Sequence, residues 1–438
     1  ENLEKYGFFA TGAAGVSKSI ILYNHEVKIT LDTKGAAIKH VVLKQFNAKD
    51  GNPIELITPS SNEFQMIATS FGKSINVNEL FYTARNTNTD STTSAEFTLD
   101  LGNGQQVKHT YALANSGYEL NYNVAFIGLD NQKSKDELIF LWNEDMITQE
   151  RDVELSRQNS TVNYYTLSDG FDELSERSTS YEEEVVNEPI KWTTIKQRFF
   201  LAAIIADKSF SKGKFITNTD LTIPEVFKSA EVTLSIPFDD VKNGGAGFRY
   251  YFGPNDYHIT SDVSEDFSKN LFLGWPPMLW VNKFVIIPLF DFFNSFLNNY
   301  GLIIIIIVLI IKLVLSPLSF KSYLSMAKMK VLKPELDEIK EKHDGDMAKA
   351  QQEQMKLYQQ VGVNPISGCI PMLLQMPIIL SMFYFFPQSI ELRGKSFLWA
   401  EDLSTFDSIL SLPFEIPFYG DHVSLFVLLM TGSTILIT

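Results

Sequence analysis

The sequence predicts two parts: a large antiparallel β-sandwich, followed by an α-helical membrane domain that carries a helical hairpin. Three observations predict this fold class. Apolar and polar residues alternate repeatedly over residues 1–270, as they do in strands with one buried face. Residues 301–320 form an almost unbroken apolar run, and about twenty such residues make a helix that crosses a bilayer. Residues 321–362 are highly charged but keep apolar residues at helical spacing, which predicts two amphipathic helices outside the lipid.

We assign the β-sandwich to residues 1–270. Gly102-Asn103-Gly104 separates two alternating runs and predicts a hairpin turn, and the apolar stretch from Trp192 to Ile205 predicts a pair of buried strands. The acidic, serine-rich segment from Asp172 to Pro189 is interpreted as a solvated loop, with a cation or partner site as the alternative. Alternation is clearest in three further runs, at Val27, Ile29 and Leu31, at Leu120, Tyr122, Val124 and Phe126, and at Val232, Leu234 and Ile236.

The composition argues against several classes of protein. The chain has 438 residues and a formal net charge of −15, which argues against nucleic acid as the main partner. Its one cysteine, Cys369, excludes a disulfide framework, and we expect it to be a small packing residue. The six histidines are scattered, and neither a phosphate-binding glycine loop nor a catalytic constellation is visible. We therefore predict that the protein is not an enzyme and uses no metal or cofactor.

The sequence predicts the order of the helices, spans and loops in the membrane part. Residues 275–299 are apolar and aromatic but are interrupted by Pro288 and Asp291, so we expect an interfacial amphipathic helix on the outer face rather than a span. Residues 300–438 form the predicted membrane core. Its segments are spans at about 300–320, 365–386 and 421–438, a helical hairpin at 321–362 and an outer loop at 387–420.

The distribution of basic residues predicts the orientation. Lys321 to Gly362 holds eight lysines, whereas residues 387–420 hold only Arg393 and Lys395. The positive-inside rule therefore places the hairpin in the cytoplasm and residues 1–270 outside. Because an exported domain needs an export signal or an anchor, we expect one ahead of residue 1. The last span falls short of about twenty residues, so we expect it to continue past residue 438.

Lys312 is the one charge in the apolar run 301–320. A lysine in hydrocarbon costs about 2.5–3.5 kcal/mol on insertion scales. It either extends toward the cytoplasm on its long side chain or lines a water-filled cavity. Ser316 lies one turn later on the same face, which favours the cavity. Gln375, near the middle of the next span, is interpreted either as an interhelix hydrogen bond or as a substrate contact.

Methionines recur in the predicted hairpin. Either they form the core of this thin structure, or they offer an adaptable surface to varied apolar segments. We therefore take four of them as candidate contact residues, namely Met326, Met329, Met347 and Met355.

Two stretches of the membrane part carry a family resemblance. Lys312 to Lys330 (KLVLSPLSFKSYLSMAKMK) runs from the charged span into the predicted hairpin, and Val363 to Pro377 begins the next span. Both stretches resemble the corresponding parts of the YidC membrane protein insertase family of Gram-negative type. The family usually has arginine where this chain has Lys312. Lysine can take the role of arginine only where enough water surrounds its ammonium group to keep that group charged. The family's periplasmic domain is resembled by Ile29 to Leu43, Gln197 to Ile205 and Tyr251 to Tyr257.

The resemblance implies a membrane insertase core in residues 300–438 and a periplasmic sandwich whose fold is like that of sugar-binding sandwiches. A hydrophilic groove, open to the cytoplasm and to lipid, would accept polar segments of new membrane proteins without nucleotide hydrolysis. Lys312, Ser316 and Gln375 would line the groove, and the hairpin would receive substrate. The implied location is the bacterial inner membrane, as a multi-pass protein. The implied partners are nascent membrane proteins, Sec translocon components, the ribosome and membrane lipid, without nucleic-acid specificity.

Two other functions stay open at this point. A transporter or channel with an extracytoplasmic sensing domain would use Lys312 to bind an anionic solute, although away from their ends the visible spans offer only this one charged residue. A membrane-anchored carbohydrate-binding protein would leave Lys312, Ser316 and the methionines without a role.

Overall fold

The computed structural model describes residues 2–70, 73–129, 137–242, 244–343, 346–362, 370–416 and 420–437. The chain divides into two compact units, Glu1–Leu271 and Phe272–Thr438. The first is built of strands and the second mainly of helices. Cys369, and the start of the predicted span from residue 365 to residue 369, lie outside the described residues.

The first unit is a succession of strands with a few short helices. Its strands are β1 (Ser19–Tyr23), β2 (Val27–Asp32), β3 (Ala37–Asn47), β4 (Pro53–Ile57), β5 (Asn62–Ser70), β6 (Lys73–Asn76), β7 (Thr83–Asn88), β8 (Thr92–Gly102), β9 (Gln105–Ala114), β10 (Glu119–Ile127), β11 (Leu138–Ile147), β12 (Ser160–Thr166), β13 (Gly170–Glu173), β14 (Glu182–Val186), β15 (Ile190–Gln197), β16 (Phe200–Phe210), β17 (Lys212–Asn218), β18 (Val226–Ile236) and β19 (Ala246–Pro254). Its helices are α1 (Asn2–Tyr6), α2 (Val153–Gln158), α3 (Phe238–Val241) and α4 (Tyr257–Ser261).

Two large antiparallel sheets of this unit face each other. Phe64 on β5 packs edge-on against Tyr250 on β19, with ring centroids 6.1 Å apart, and Tyr164 on β12 stacks on Phe215 of β17 at 4.6 Å. The prediction of a large antiparallel β-sandwich is therefore confirmed. The strand orders are β13-β12-β15-β16-β19-β10-β9-β8-β7 and β14-β17-β18-β11-β5-β6, and a third sheet has the order β1-β2-β3-β4.

The alternating sequence pattern explains the core. On β2, Val27, Ile29 and Leu31 are buried while the residues between them are not. The predicted turn joins β8 to β9, and Asn103 has a φ of 52°, a left-handed conformation that asparagine tolerates. The predicted pair of buried strands is confirmed as β15 and β16, with Trp192 fully buried between aromatic neighbours.

The structure of the acidic segment from Asp172 to Pro189 differs from the prediction. Residues Glu182–Val186 are not a solvated loop but the edge strand β14, which pairs with β17. Val186 is buried, while the Glu183 carboxylate lies 3.1 Å from the Lys214 ammonium on the neighbouring strand. Charged side chains on an edge strand oppose pairing with other chains, so a strand is compatible with this composition.

Two lysines in this unit are buried with their charges compensated. Lys196 is fully buried, and its ammonium pairs with the Glu176 carboxylate. The ammonium of Lys228 donates hydrogen bonds to the carbonyl oxygens of Ser160, at 2.7 Å, and Glu176, at 2.8 Å. Burial lowers the pKa of Lys228 to about 8. Because Glu176 contacts both lysines, it holds the chain before β14 against the sandwich.

The buried Glu144 predicts a pH-dependent stability. Burial raises its pKa from 4.5 to about 8, although hydrogen bonds from Asn62, Trp142 and Ser61 oppose the rise. Between pH 4.5 and 8 the folded state keeps this proton while the unfolded state releases it. The contribution of Glu144 to stability is therefore complete below pH 4.5 and is lost progressively as the pH rises to 8.

Glu144→Gln is expected to remove this part of the pH dependence, so the variant gains stability over the wild type as the pH rises from 5 to 8. Thermal unfolding of the purified protein across this range measures the difference. Glu63→Gln, on the neighbouring strand and exposed, is the control and should keep the wild-type profile. Parallel profiles for the wild type and Glu144→Gln would contradict the prediction.

The second unit is a set of helices with one small two-stranded sheet. Its helices are α5 (Met278–Val281), α6 (Ile287–Asn294), α7 (Tyr300–Val331), α8 (Lys333–Lys342), α9 (Met347–Val361), α10 (Ile370–Phe385) and α11 (Leu425–Ile437). A π-helical segment, Asn282–Ile286, joins α5 to α6. The strands are β20 (Leu410–Ile416) and β21 (Gly420–Val423).

Helix α7 is longer than the predicted span. It continues from Tyr300 through Lys321 to Val331 without a break, and the chain turns only at Leu332. The following helix α8 carries Pro334 in its first turn, a position that proline favours because it lacks an N–H to donate. The first arm of the hairpin therefore begins about twelve residues later than the sequence suggested. Among the described residues, α7 is the one helix long and apolar enough to cross a membrane.

Candidate functional site

Lys312 and Ser316 lie together on one exposed face of α7. They are four residues apart, so their side chains project from successive turns of the same side. The buried face of this helix carries Ile303 and Ile307, both without exposed surface. Ile303 precedes Lys312 by two and a half turns, which places Lys312 on the opposite side of the helix. The charge is thus directed away from the packed face.

The structure also shows how far Lys312 lies along α7 from the point where the start of α7 meets the end of α10. Phe290 on α6 contacts both Tyr300, at the start of α7, and Phe385, at the end of α10, with ring centroids 5.9 and 6.0 Å apart. These two helix ends therefore lie at one level. From there, Lys312 lies about 18 Å along α7 and Gln375 about 15 Å along α10.

Gln375 reaches a similar level on a different helix. It is half-buried on α10, whereas Lys312 and Ser316 are exposed on α7. No hydrogen bond joins Gln375 to either residue within the described part of the chain. The structure thus places Lys312 and Ser316 on one face of α7, and a groove shared with Gln375 stays a prediction.

Asn282 is a structural residue that the sequence analysis missed. It is fully buried in the π-helical segment, and its side-chain amide donates to the carbonyl oxygens of Leu273, at 2.8 Å, and Ser381, at 3.0 Å. The Ser381 hydroxyl in turn donates to the carbonyl oxygen of Met278 at 3.1 Å. These bonds fix the segment before α6 against α10. In the sequence, the sign of this structural role was a single asparagine within an apolar run.

The hairpin arms α8 and α9 pack through few residues. Ala350 is buried between the arms, and the His343 imidazole contacts the Glu353 carboxylate, to which Lys342 donates at 3.2 Å. Met347 is 84% exposed and Met355 is 45% exposed, so both lie on the hairpin surface. Met326 and Met329 are instead half-buried on α7, ahead of the hairpin.

The last described helix is fixed by a buried carboxylate. Asp407 accepts hydrogen bonds from the backbone amides of Leu425, at 2.9 Å, and Phe426, at 3.1 Å, and from the indole of Trp399 at 2.8 Å. Burial alone would raise the pKa of Asp407, but these bonds and the Ser424 hydroxyl hold it below its usual range. Trp399 is therefore held at the start of α11. Among the described residues, no group of three or more metal-binding side chains occurs.

Family models and known proteins match the chain along nearly its whole length. The model of the YidC periplasmic domain matches residues 20–288, and that of the 60Kd inner membrane protein matches residues 292–438. The membrane protein insertase YidC of Amoebophilus asiaticus is 45% identical over 99% of this chain and 74% of its own length. That of Cytophaga hutchinsonii is 42% identical over 100% of this chain and 72% of its own length.

This chain belongs to the YidC membrane protein insertase family. The resemblance found in the sequence is therefore confirmed. Like other YidC proteins, it is an inner membrane protein with a periplasmic domain, and the β-sandwich is that domain. A crystal structure of an active YidC insertase with its first transmembrane domain resolved aligns with 92% of this chain and 81% of its own, at 17% identity and a TM-score of 0.32.

Proposed function

We propose that this protein passes newly made membrane proteins into the lipid bilayer through a hydrophilic groove that contains Lys312, without hydrolysing a nucleotide. The observation that carries the proposal is the 45% identity, over 99% of the chain, to a protein named a membrane protein insertase. The position of Lys312 and Ser316 on an exposed helix face supports the groove.

The groove would lower the main barrier to insertion. A polar tail or loop must leave water to cross hydrocarbon, and an unpaired charge there costs several kcal/mol. Lys312 and Ser316 offer such a segment a positive charge and a hydroxyl group inside the membrane. The apolar helix of the substrate would then move sideways into lipid, because burial of its apolar surface is favourable.

The same face of α7 supports a groove that is closed toward the outside. Ile305 and Leu309 precede Lys312 on this side of the helix and are 50% and 56% exposed. The face is thus apolar in its outer part and polar from Lys312 inward. A polar segment could reach Lys312 from the cytoplasm but would meet hydrocarbon-like surface beyond it.

The domain organisation follows from this proposal. Residues 1–270 would lie in the periplasm, residues 275–299 along the outer membrane–water interface, and residues 300–438 in a multi-pass core in the inner membrane. The hairpin at residues 321–362 would lie in the cytoplasm. Its exposed Met347 and Met355 would meet apolar segments of substrates emerging from the ribosome. Sec translocon components would be partners of the outer parts, and lipid would receive the product.

Reconstitution tests the proposal. The purified protein is placed in liposomes and mixed with one small single-span substrate, without nucleotide or other proteins. Protease protection of the translocated tail measures insertion. Insertion above that of protein-free liposomes supports an insertase that acts without nucleotide hydrolysis. Equal insertion in both would overturn it.

A further inference from the structure

Helix α7 is longer than the hydrocarbon core of a bilayer is thick. Its 32 residues are about 48 Å long, whereas the hydrocarbon core of a bilayer is about 30 Å thick. About 18 Å of the helix, or some twelve residues, would project on the cytoplasmic side if the span begins at Tyr300. Because the helix does not break at Lys321, any face of the span continues onto this projection.

The face that carries Lys312 continues in this way. Tyr323 follows Lys312 by eleven residues, close to three turns, and is 68% exposed. Lys330 follows Lys312 by eighteen residues, which is five turns, and is also exposed. Lys312, Ser316, Tyr323 and Lys330 therefore form one polar stripe, which we call the Lys312 stripe.

Both cations of the Lys312 stripe are available to a partner. Within the described part of the chain, neither Lys312 nor Lys330 pairs with a carboxylate, although the hairpin lysines Lys342 and Lys349 do. Eighteen helical residues separate the two stripe lysines by about 27 Å along the axis. An extended peptide covers this distance with about eight residues.

We propose that the cytoplasmic end of the Lys312 stripe is a loading site for acidic translocated segments of substrate membrane proteins. Lys330 makes the first contact with a carboxylate in the aqueous phase, Tyr323 contacts the chain behind it, and Lys312 receives a carboxylate in the groove. The occupant is defined by charge complementarity: an extended segment with acidic residues about eight positions apart spans both lysines. The proposal rests on the insertase function proposed above.

Lys328 provides a matched control for Lys330. It is two residues away on the same helix, is exposed, and faces the other side because two residues turn the helix by about 200°. Lys330→Glu and Lys328→Glu therefore change the net charge equally but reverse the charge on opposite faces. Lys321 is the corresponding control for Tyr323 in cross-linking, since both are exposed and two residues apart.

The experiment measures initial insertion rates in liposomes for one single-span substrate with either an acidic or a neutral tail. For the acidic tail, Lys330→Glu is expected to slow insertion about threefold to tenfold relative to Lys328→Glu. The difference should shrink in about 1 M salt, where charges are screened beyond about 3 Å. A photo-cross-linker placed at Tyr323 should capture the acidic tail more efficiently than one placed at Lys321.

Equal acidic-tail rates for the two glutamate variants, or equal cross-linking from the two positions, would overturn the loading site while leaving the insertase function intact. Lys330→Gln checks that any loss comes from charge and not from misfolding, because it should slow the acidic tail less than Lys330→Glu does. If the wild-type protein inserts neither substrate, the insertase function itself fails, and the loading site fails with it.

Discussion

Lys312→Ala is expected to slow the insertion of substrates with acidic translocated tails about tenfold and to leave substrates with uncharged tails nearly unchanged. A hydrogen bond to a charged group contributes about 1.5–3 kcal/mol, and about 1.4 kcal/mol corresponds to a factor of ten. The alanine variant removes the charge on the exposed face of α7 and keeps the helix, because alanine favours helical conformation. Depletion of the native protein and complementation in cells, together with insertion into liposomes, measure the effect.

Two variants control this prediction. Lys312→Arg should retain insertion, because arginine keeps the positive charge and is the residue that the family usually has at this position. Lys321→Ala removes a lysine two and a half turns later, on the opposite side of the same helix, and should have little effect. Full activity of Lys312→Ala on acidic tails would contradict the role of the charge. It would leave an insertase whose groove works through hydration alone.

The fold of the first unit was accessible from the sequence because its signals are local. Alternation at Val27, Ile29 and Leu31 predicts one buried strand face, and the structure buries these three residues. The glycines around Asn103 mark a turn that requires positive φ. Each of these features depends only on neighbouring residues, so no knowledge of the tertiary structure was needed.

Other features depend on distant residues and were missed. Glu182–Val186 is acidic enough to suggest a loop, and its pairing with β17, about thirty residues away, makes it a strand. Helix α7 passes Lys321 because charged residues are compatible with a helix in water, so composition predicts where the apolar run ends but not where the helix ends. The role of Asn282 depends on Ser381, about one hundred residues later.

In the candidate site, too, some features depend on neighbouring residues and others on distant ones. The sequence identified Lys312 because a charge in an apolar run is costly, and helical spacing linked it to Ser316. That Gln375 lines a groove with them depends on how α10 packs, and it stays a prediction. The sequence also could not show that Met347 and Met355 are exposed while Met326 and Met329 lie on α7, which follows from the turn at Leu332.

Glu176→Gln is expected to cause a large loss of stability in the periplasmic domain. Lys196 is fully buried and pairs with this carboxylate, so the variant leaves a charge without its partner in the interior. Breaking a buried ion pair in this way costs about 3–5 kcal/mol. For a domain of this size the midpoint of thermal unfolding should fall by about 6–15 °C. Tryptophan fluorescence of the purified protein follows the transition, because Trp142 and Trp192 are both buried in this domain.

Glu183→Gln is the matched control, because it removes the carboxylate of an exposed lysine–glutamate pair in the same domain. The side chains of Lys214 and Glu183 are 41% and 37% exposed, and water stabilises either charge when its partner is lost. This variant should therefore unfold close to the wild-type temperature. A double variant, Glu176→Gln with Lys196→Met, should recover much of the loss, since it removes both charges and fills the space with an apolar side chain. Equal melting temperatures for Glu176→Gln and Glu183→Gln would show that the pair with Lys196 contributes no more than a surface contact.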